Sequence, residues 1–160
     1  MKKFSTGFIV INLLLLLGYI NYAILSKEQT LESGELVLLR LAPVDPRSLI
    51  QGDYMQLNYE ITSGIEETLP VKGYCIVVPD SHGVVKRIRF QKTLQPLNAG
   101  EKAIRYSKNE WTVKIGAESF FFQEGEAEKY ANAKYGGLRI DKNGNSVLVG
   151  LFNEKLEEIR

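Results

Sequence analysis

Residues 4–26 carry no formal charge, and that single fact limits the fold more than any other feature of the chain. Twenty-three uncharged residues in helical form extend about 34 Å, enough to cross a hydrocarbon core of roughly 30 Å. Lys2 and Lys3 precede the stretch, while Lys27 follows it among Glu28, Glu32 and Glu35. This asymmetry predicts an N-terminus in the cytoplasm and the remainder of the chain outside. A cleaved signal peptide is the competing reading, with Lys2-Lys3 as its basic region and residues 8–17 as its apolar region. Cleavage needs two small residues at set positions before the cut, and residues 22–26 (Tyr-Ala-Ile-Leu-Ser) offer no such pair. The expectation is therefore an uncleaved signal anchor over residues 1–26. Within it Phe8, Asn12, Leu15, Tyr19 and Tyr22 recur at a 4-3-4-3 spacing that stacks them on one face. Asn12, near mid-span, needs a hydrogen-bond partner in lipid, so Asn12, Tyr19 and Tyr22 are candidates for contact with another membrane helix. Tyr19 and Tyr22 equally suit the interfacial aromatic belt.

Beyond the anchor the composition suits one globular domain. The whole chain has 20 basic and 19 acidic residues, so removing Lys2 and Lys3 leaves a net charge of −1 on the rest. That balance argues against a nucleic-acid partner. A single cysteine, Cys75, excludes an intramolecular disulfide and any cysteine-based zinc site, and no metal or cofactor is expected. Set in the apolar run 74–78, Cys75 reads as a small buried hydrophobe.

Residues 27–34 read as a polar linker and residues 35–152 as a β-rich exported domain. Strands are predicted over 35–41, 71–78, 84–90, 103–106, 111–115, 119–123, 138–141 and 146–151. Residues 79–83 and 142–145 are the turns of two hairpins, and 91–100 is a loop. Ser63 and Glu66 have capping-box spacing, which predicts a helical turn or two before Pro70. An acidic start and basic end predict a helix over 124–134, stopped by Gly136-Gly137. The charged tail, 153–160, is a further helix candidate. The fold class is then mainly β (α+β): a small antiparallel barrel or sandwich with one or two short helices behind a single transmembrane helix.

Turn chemistry and strand pattern coincide over residues 45–59. Asp45-Pro46 and Gly52-Asp53 are turn dipeptides, and Gly52 tolerates a positive φ. From residue 54 to 61 the side chains alternate, placing Met55, Leu57, Tyr59 and Ile61 on one face and Tyr54, Gln56, Asn58 and Glu60 on the other. Leu57 and Tyr59 should point inward and Tyr54 outward. The pattern Gly52-Asp53-Tyr54, Leu57, Tyr59 resembles the signature of the bacterial GDYXXLXY family at all five positions. The lead-in 43–47, the run 120–125 and residues 138–151 are also similar to that family. The resemblance implies a membrane-anchored protein, residing in the cytoplasmic (inner) membrane with its domain on the periplasmic side. It also implies an integral, multi-pass membrane partner. It implies no chemistry.

Catalytic constellations are sparse. Asp80-Ser81-His82 invites comparison with a hydrolytic triad, but three consecutive residues in a turn seldom aim their side chains at one another. A membrane-tethered Ser/Lys hydrolase laid out like signal peptidase would use Ser48, with no lysine assignable to face it. Asp45, Arg47, Asp53 and Tyr54 bracket one turn, either as ion pairs that hold it or as the rim of a small-ligand site. Lys86, Arg87, Arg89 and Lys92 form the densest basic cluster, readable as a protected sheet edge or as an anion contact. Phe120-Phe121-Phe122 puts two rings on one face and one on the other, so either both faces are covered or one ring is exposed. The expectation is a membrane-anchored binding or accessory module without catalytic residues. The alternatives are the tethered hydrolase and a small-ligand-binding domain.

Overall fold

The computed structural model describes residues 2–42, 50–51, 54–64, 68–110 and 112–160. Among these a long helix, α1 (Lys2–Ser33), precedes a β-rich body. Its strands are β1 (Glu35–Arg40), β2 (Ile50–Gln51), β3 (Tyr54–Gln56), β4 (Lys72–Pro79) and β5 (Val85–Gln91), then β6 (Lys102–Lys108), β7 (Val113–Lys114), β8 (Ser119–Phe121), β9 (Tyr135–Ile140) and β10 (Ser146–Phe152). A 3-10 turn at Glu60–Thr62 and a one-turn helix, α2 (Ala127–Tyr130), complete it.

The strands pair antiparallel in three sheets, ordered β1-β9-β10, β2-β3-β8 and β5-β4-β6-β7. No closed barrel forms among the described residues, and the sheets share one core in a sandwich-like arrangement. Val37 and Leu39 of β1, Met55 and Leu57 of the signature, Cys75 and Val77 of β4, Ile104 and Tyr106 of β6, and Leu138 and Leu151 of the last hairpin meet there.

Two bulges decide which residues reach it. In β5, Val77 pairs with Arg87 and Ile76 with Arg89, so Ile88 is an extra residue, 54% exposed. Val85 and Phe90 are an odd number of positions apart and would face opposite ways in a regular strand; the bulge turns both toward the core. The break between Leu148 and Gly150 does the same for Leu148 and Leu151 in β10.

Four expectations are corrected. The segment read as a linker is helical through Ser33, since nothing in residues 27–33 breaks a helix. Its Thr30 is 1% exposed, packed where Asp141 begins the β9–β10 turn. Ser63 closes a turn rather than opening a helix: its N–H donates to the Glu60 carbonyl and its hydroxyl to that of Tyr59. Glu66 lies outside the described residues.

The helix expected over 124–134 contracts to α2, and Gly136-Gly137 does not end it. Both glycines sit in the middle of β9, where a Cβ at Gly136 would crowd the Tyr59 ring and one at Gly137 would overlap the Phe152 ring. The glycines are there for close packing, not for chain reversal. The tail is not helical either. The Asn153 side chain accepts N–H bonds from Lys155 and Glu157, Leu156 takes a φ of 64°, and Ile159 returns to donate its N–H to Leu151.

Candidate functional site

The signature strand is built as its alternation predicts. Met55, Leu57, Tyr59 and Ile61 are buried and Gln56, Asn58 and Glu60 exposed, although ladder pairing stops at Gln56. Beyond that point the geometry is kept by single bonds: Leu57 N–H to the Glu118 carbonyl, Ala42 N–H to the Asn58 carbonyl, and a bridge between Leu41 and Tyr59. Tyr59 is the anchor. Its hydroxyl donates to the Ala117 carbonyl at 2.6 Å. Burial, with the Glu118 charge adding, raises its pKa far above the ordinary tyrosine range. Tyr54 is half-buried opposite Phe121, ring centroids 5.7 Å apart. Gly52, Asp53, Asp45, Arg47 and Ser48 lie outside the described residues.

Beside this strand is a cleft of about 470 Å³. Met55, Leu57 and Asn58 form one wall, Leu41 and Ala42 another, and the segment from Tyr130 to Tyr135 a third. Charges of both signs rim it: Arg40 pairs with Glu60 at 3.5 Å and lies over the Tyr135 ring, and Lys134 and Glu154 complete the mouth. An apolar floor with a few polar groups at its rim suits a small amphipathic ligand. Arg40, Lys134 and Glu154 were not singled out from the sequence. They come from three distant segments that only the β1–β9 pairing and the return of the tail bring together.

Other candidates resolve structurally. Asp80 accepts N–H bonds from His82 (2.8 Å) and Val84 (3.0 Å), which lower its pKa and make the turn a side-chain-capped one. Of the basic cluster, Arg87 donates to the carbonyls of Ile61 and Ser63, and Arg89 binds both oxygens of Glu101. Those two cations hold loops, while Lys86 and Lys92 are exposed. Phe120 and Phe122 pack on Tyr130, and Phe121 is the exposed ring, at 74%. Cys75 is fully buried; burial pushes its thiol up to about 12 despite the opposing charge of Arg87, so it is a packing residue. Among the described residues no His, Cys, Asp and Glu side chains group as a metal site.

What the fold and its leading helix define is a β-rich domain joined to one helix, Gly7–Ser33, long and apolar enough to cross a membrane. The GDYXXLXY protein family model matches residues 16–151, and the chain belongs to that family. No curated protein and no solved structure matches it.

Proposed function

We propose that the chain is an uncleaved single-pass membrane protein, its N-terminus in the cytoplasm and its β domain on the outer face of the inner membrane. There it serves as a binding or accessory module for a multi-pass membrane partner. The observation that carries this reading is the continuity of α1. Its apolar portion is bare, with every residue from 7 to 26 exposed, while the segment after it docks on the folded body. Thr30 is buried, Lys27 donates to the Ser146 carbonyl, and Arg139 donates to the Gly34 carbonyl at 2.8 Å. A leader peptide destined for removal has no need of such docking, whereas an anchor that sets the domain at a fixed height does. Asn12, Tyr19 and Tyr22 are all exposed on α1, available for a partner helix.

Three measurements test this. A reporter active only outside the cytoplasm, fused after Arg160, should be active, and the mature chain should keep its original N-terminus; sequencing that begins near Ser26 would overturn the anchor. Affinity capture of the full chain from detergent-solubilised membranes should then retain an integral membrane protein, and Asn12→Leu should weaken that retention. A second reading, a small-ligand-binding domain, is favoured by the cleft beside Met55 and Leu57.

A further inference from the structure

On the opposite side of the sheet formed by β4, β6 and β7, the register sets Lys72 opposite Ser107 and Ser107 opposite Lys114. Three outward side chains thus form a row, cationic at both ends and small in the middle. Arg105, two residues along β6 from Ser107, faces the same way; it is held by Tyr74, with its guanidinium 5.8 Å from the ring centroid and an Nη2 contact to the hydroxyl at 3.4 Å. The β9–β10 turn closes one side, where the Gly144 carbonyl accepts the Arg105 N–H and the Ser146 hydroxyl donates to Ile115. Lys27 of α1 reaches over the top to the Ser146 carbonyl. The result is a cleft of about 380 Å³ lined by Lys27, Lys72, Arg105 and Lys114 and, among the described residues, by no carboxylate.

None of these four cations forms an ion pair with a described residue. The acids of the adjoining turns are engaged elsewhere. Asp141 accepts from Asn143, Asn145 and Thr30, and Glu118 accepts the N–H groups of Ile115 and Gly116. Like charges set side by side on a sheet face repel, and no described residue supplies a counter-charge here. An anion seated above Ser107 would supply it.

Position along α1 says which anion. Lys27 is the first charge after the uncharged stretch, and the headgroup layer adds roughly 5–8 Å to each side of the hydrocarbon core. Residues 27–33 of α1 span about 10 Å, and Lys27, which roofs the cleft, stands at their membrane end, so the cleft lies at headgroup depth. We propose that this cleft binds the phosphodiester headgroup of an anionic phospholipid, seating the domain against the bilayer surface. The placement at headgroup depth rests on the anchor reading above; the charge and shape of the cleft do not.

The test uses the full chain purified in a neutral detergent and titrated, by native mass spectrometry, with short-chain phosphatidylglycerol, phosphatidylcholine or inorganic phosphate. Phosphatidylglycerol adducts are expected at concentrations where phosphatidylcholine gives none. Lys72→Gln with Lys114→Gln should weaken them about tenfold or more, whereas Lys86→Gln with Lys155→Gln, an equal loss of charge at exposed sites outside the cleft, should leave them unchanged. Equal losses in the two double variants, or equal binding of both lipids, would overturn the proposal. So would inorganic phosphate displacing the lipid at equal concentration, which would assign the cleft to a free anion. Because the adducts are read in detergent, they stand apart from the anchor reading, which fails separately if alkaline carbonate strips the wild-type chain from membranes.

Discussion

Tyr59 does at one position what the signature as a whole achieves. Its ring lies against Gly136 and its hydroxyl satisfies the Ala117 carbonyl, tying the signature strand to β9 and to the segment before β8. Tyr59→Phe should therefore cost about 1–3 kcal/mol by leaving a buried carbonyl unpaired. Leu57→Ala, a core truncation, should cost about 2–5 kcal/mol, and Tyr54→Ala, at a half-buried position, much less. Denaturant unfolding of the three variants checks the register: a larger loss at Tyr54 than at Leu57 would reverse it.

Among the elements, β5 shows how a charged strand is held. The Arg89 guanidinium grips both Glu101 oxygens, at 2.5 and 2.8 Å, and the Asn98 N–H adds a third donor. The carboxylate side chain is only 7% exposed, and the bonds from Arg89 and then Asn98 outweigh burial and bring its pKa from 4.5 down to about 2. A carboxyl whose folded pKa is depressed contributes stability above its unfolded value and loses it as pH falls toward the folded one. Glu101→Gln should thus lower the melting temperature at pH 7, with the gap to wild type narrowing between about pH 4.5 and pH 2. Thermal scans across that range check it; a gap constant with pH would assign Glu101 a packing role alone. The loop bound by this pair spans residues 92–101, so the loosening should appear there first.

At the scale of the whole molecule, α1 and the β body meet at Gly34. Its N–H donates to the Thr30 carbonyl, its own carbonyl accepts from Arg139, and a Cβ at this position would overlap the Thr30 carbonyl. Gly34→Val should push the helix end off the β9–β10 turn. Limited proteolysis of the full chain should then cut between residues 33 and 35 several times faster than in wild type, while the melting temperature of the β body falls by only about 2–4 °C. Unchanged proteolysis would mean that the helix end is not held by this contact.

Local periodicity and local charge were legible without any structure. The uncharged 4–26 stretch, the inward set Met55, Leu57, Tyr59 and Ile61, the two hairpin turns and the Asp80 turn all depend on residues within a few positions of one another, where backbone geometry leaves little choice. What failed was decided by contacts that helical pattern does not encode, several of them distant. Gly136-Gly137 reads as a helix stop until the Tyr59 and Phe152 rings are seen against it, and the tail reads as helical until Asn153 folds it back onto Leu151. Residues 27–33 looked like a linker because polar composition is shared by linkers and by helices with one buried position, and only contact with Asp141 makes Thr30 that position. The two clefts belong to the same class. Lys27, Lys72, Arg105 and Lys114 are spread over 88 residues; sheet register, set by burying the opposite face, aligns the last three, and the docked end of α1 brings Lys27 to the same cleft.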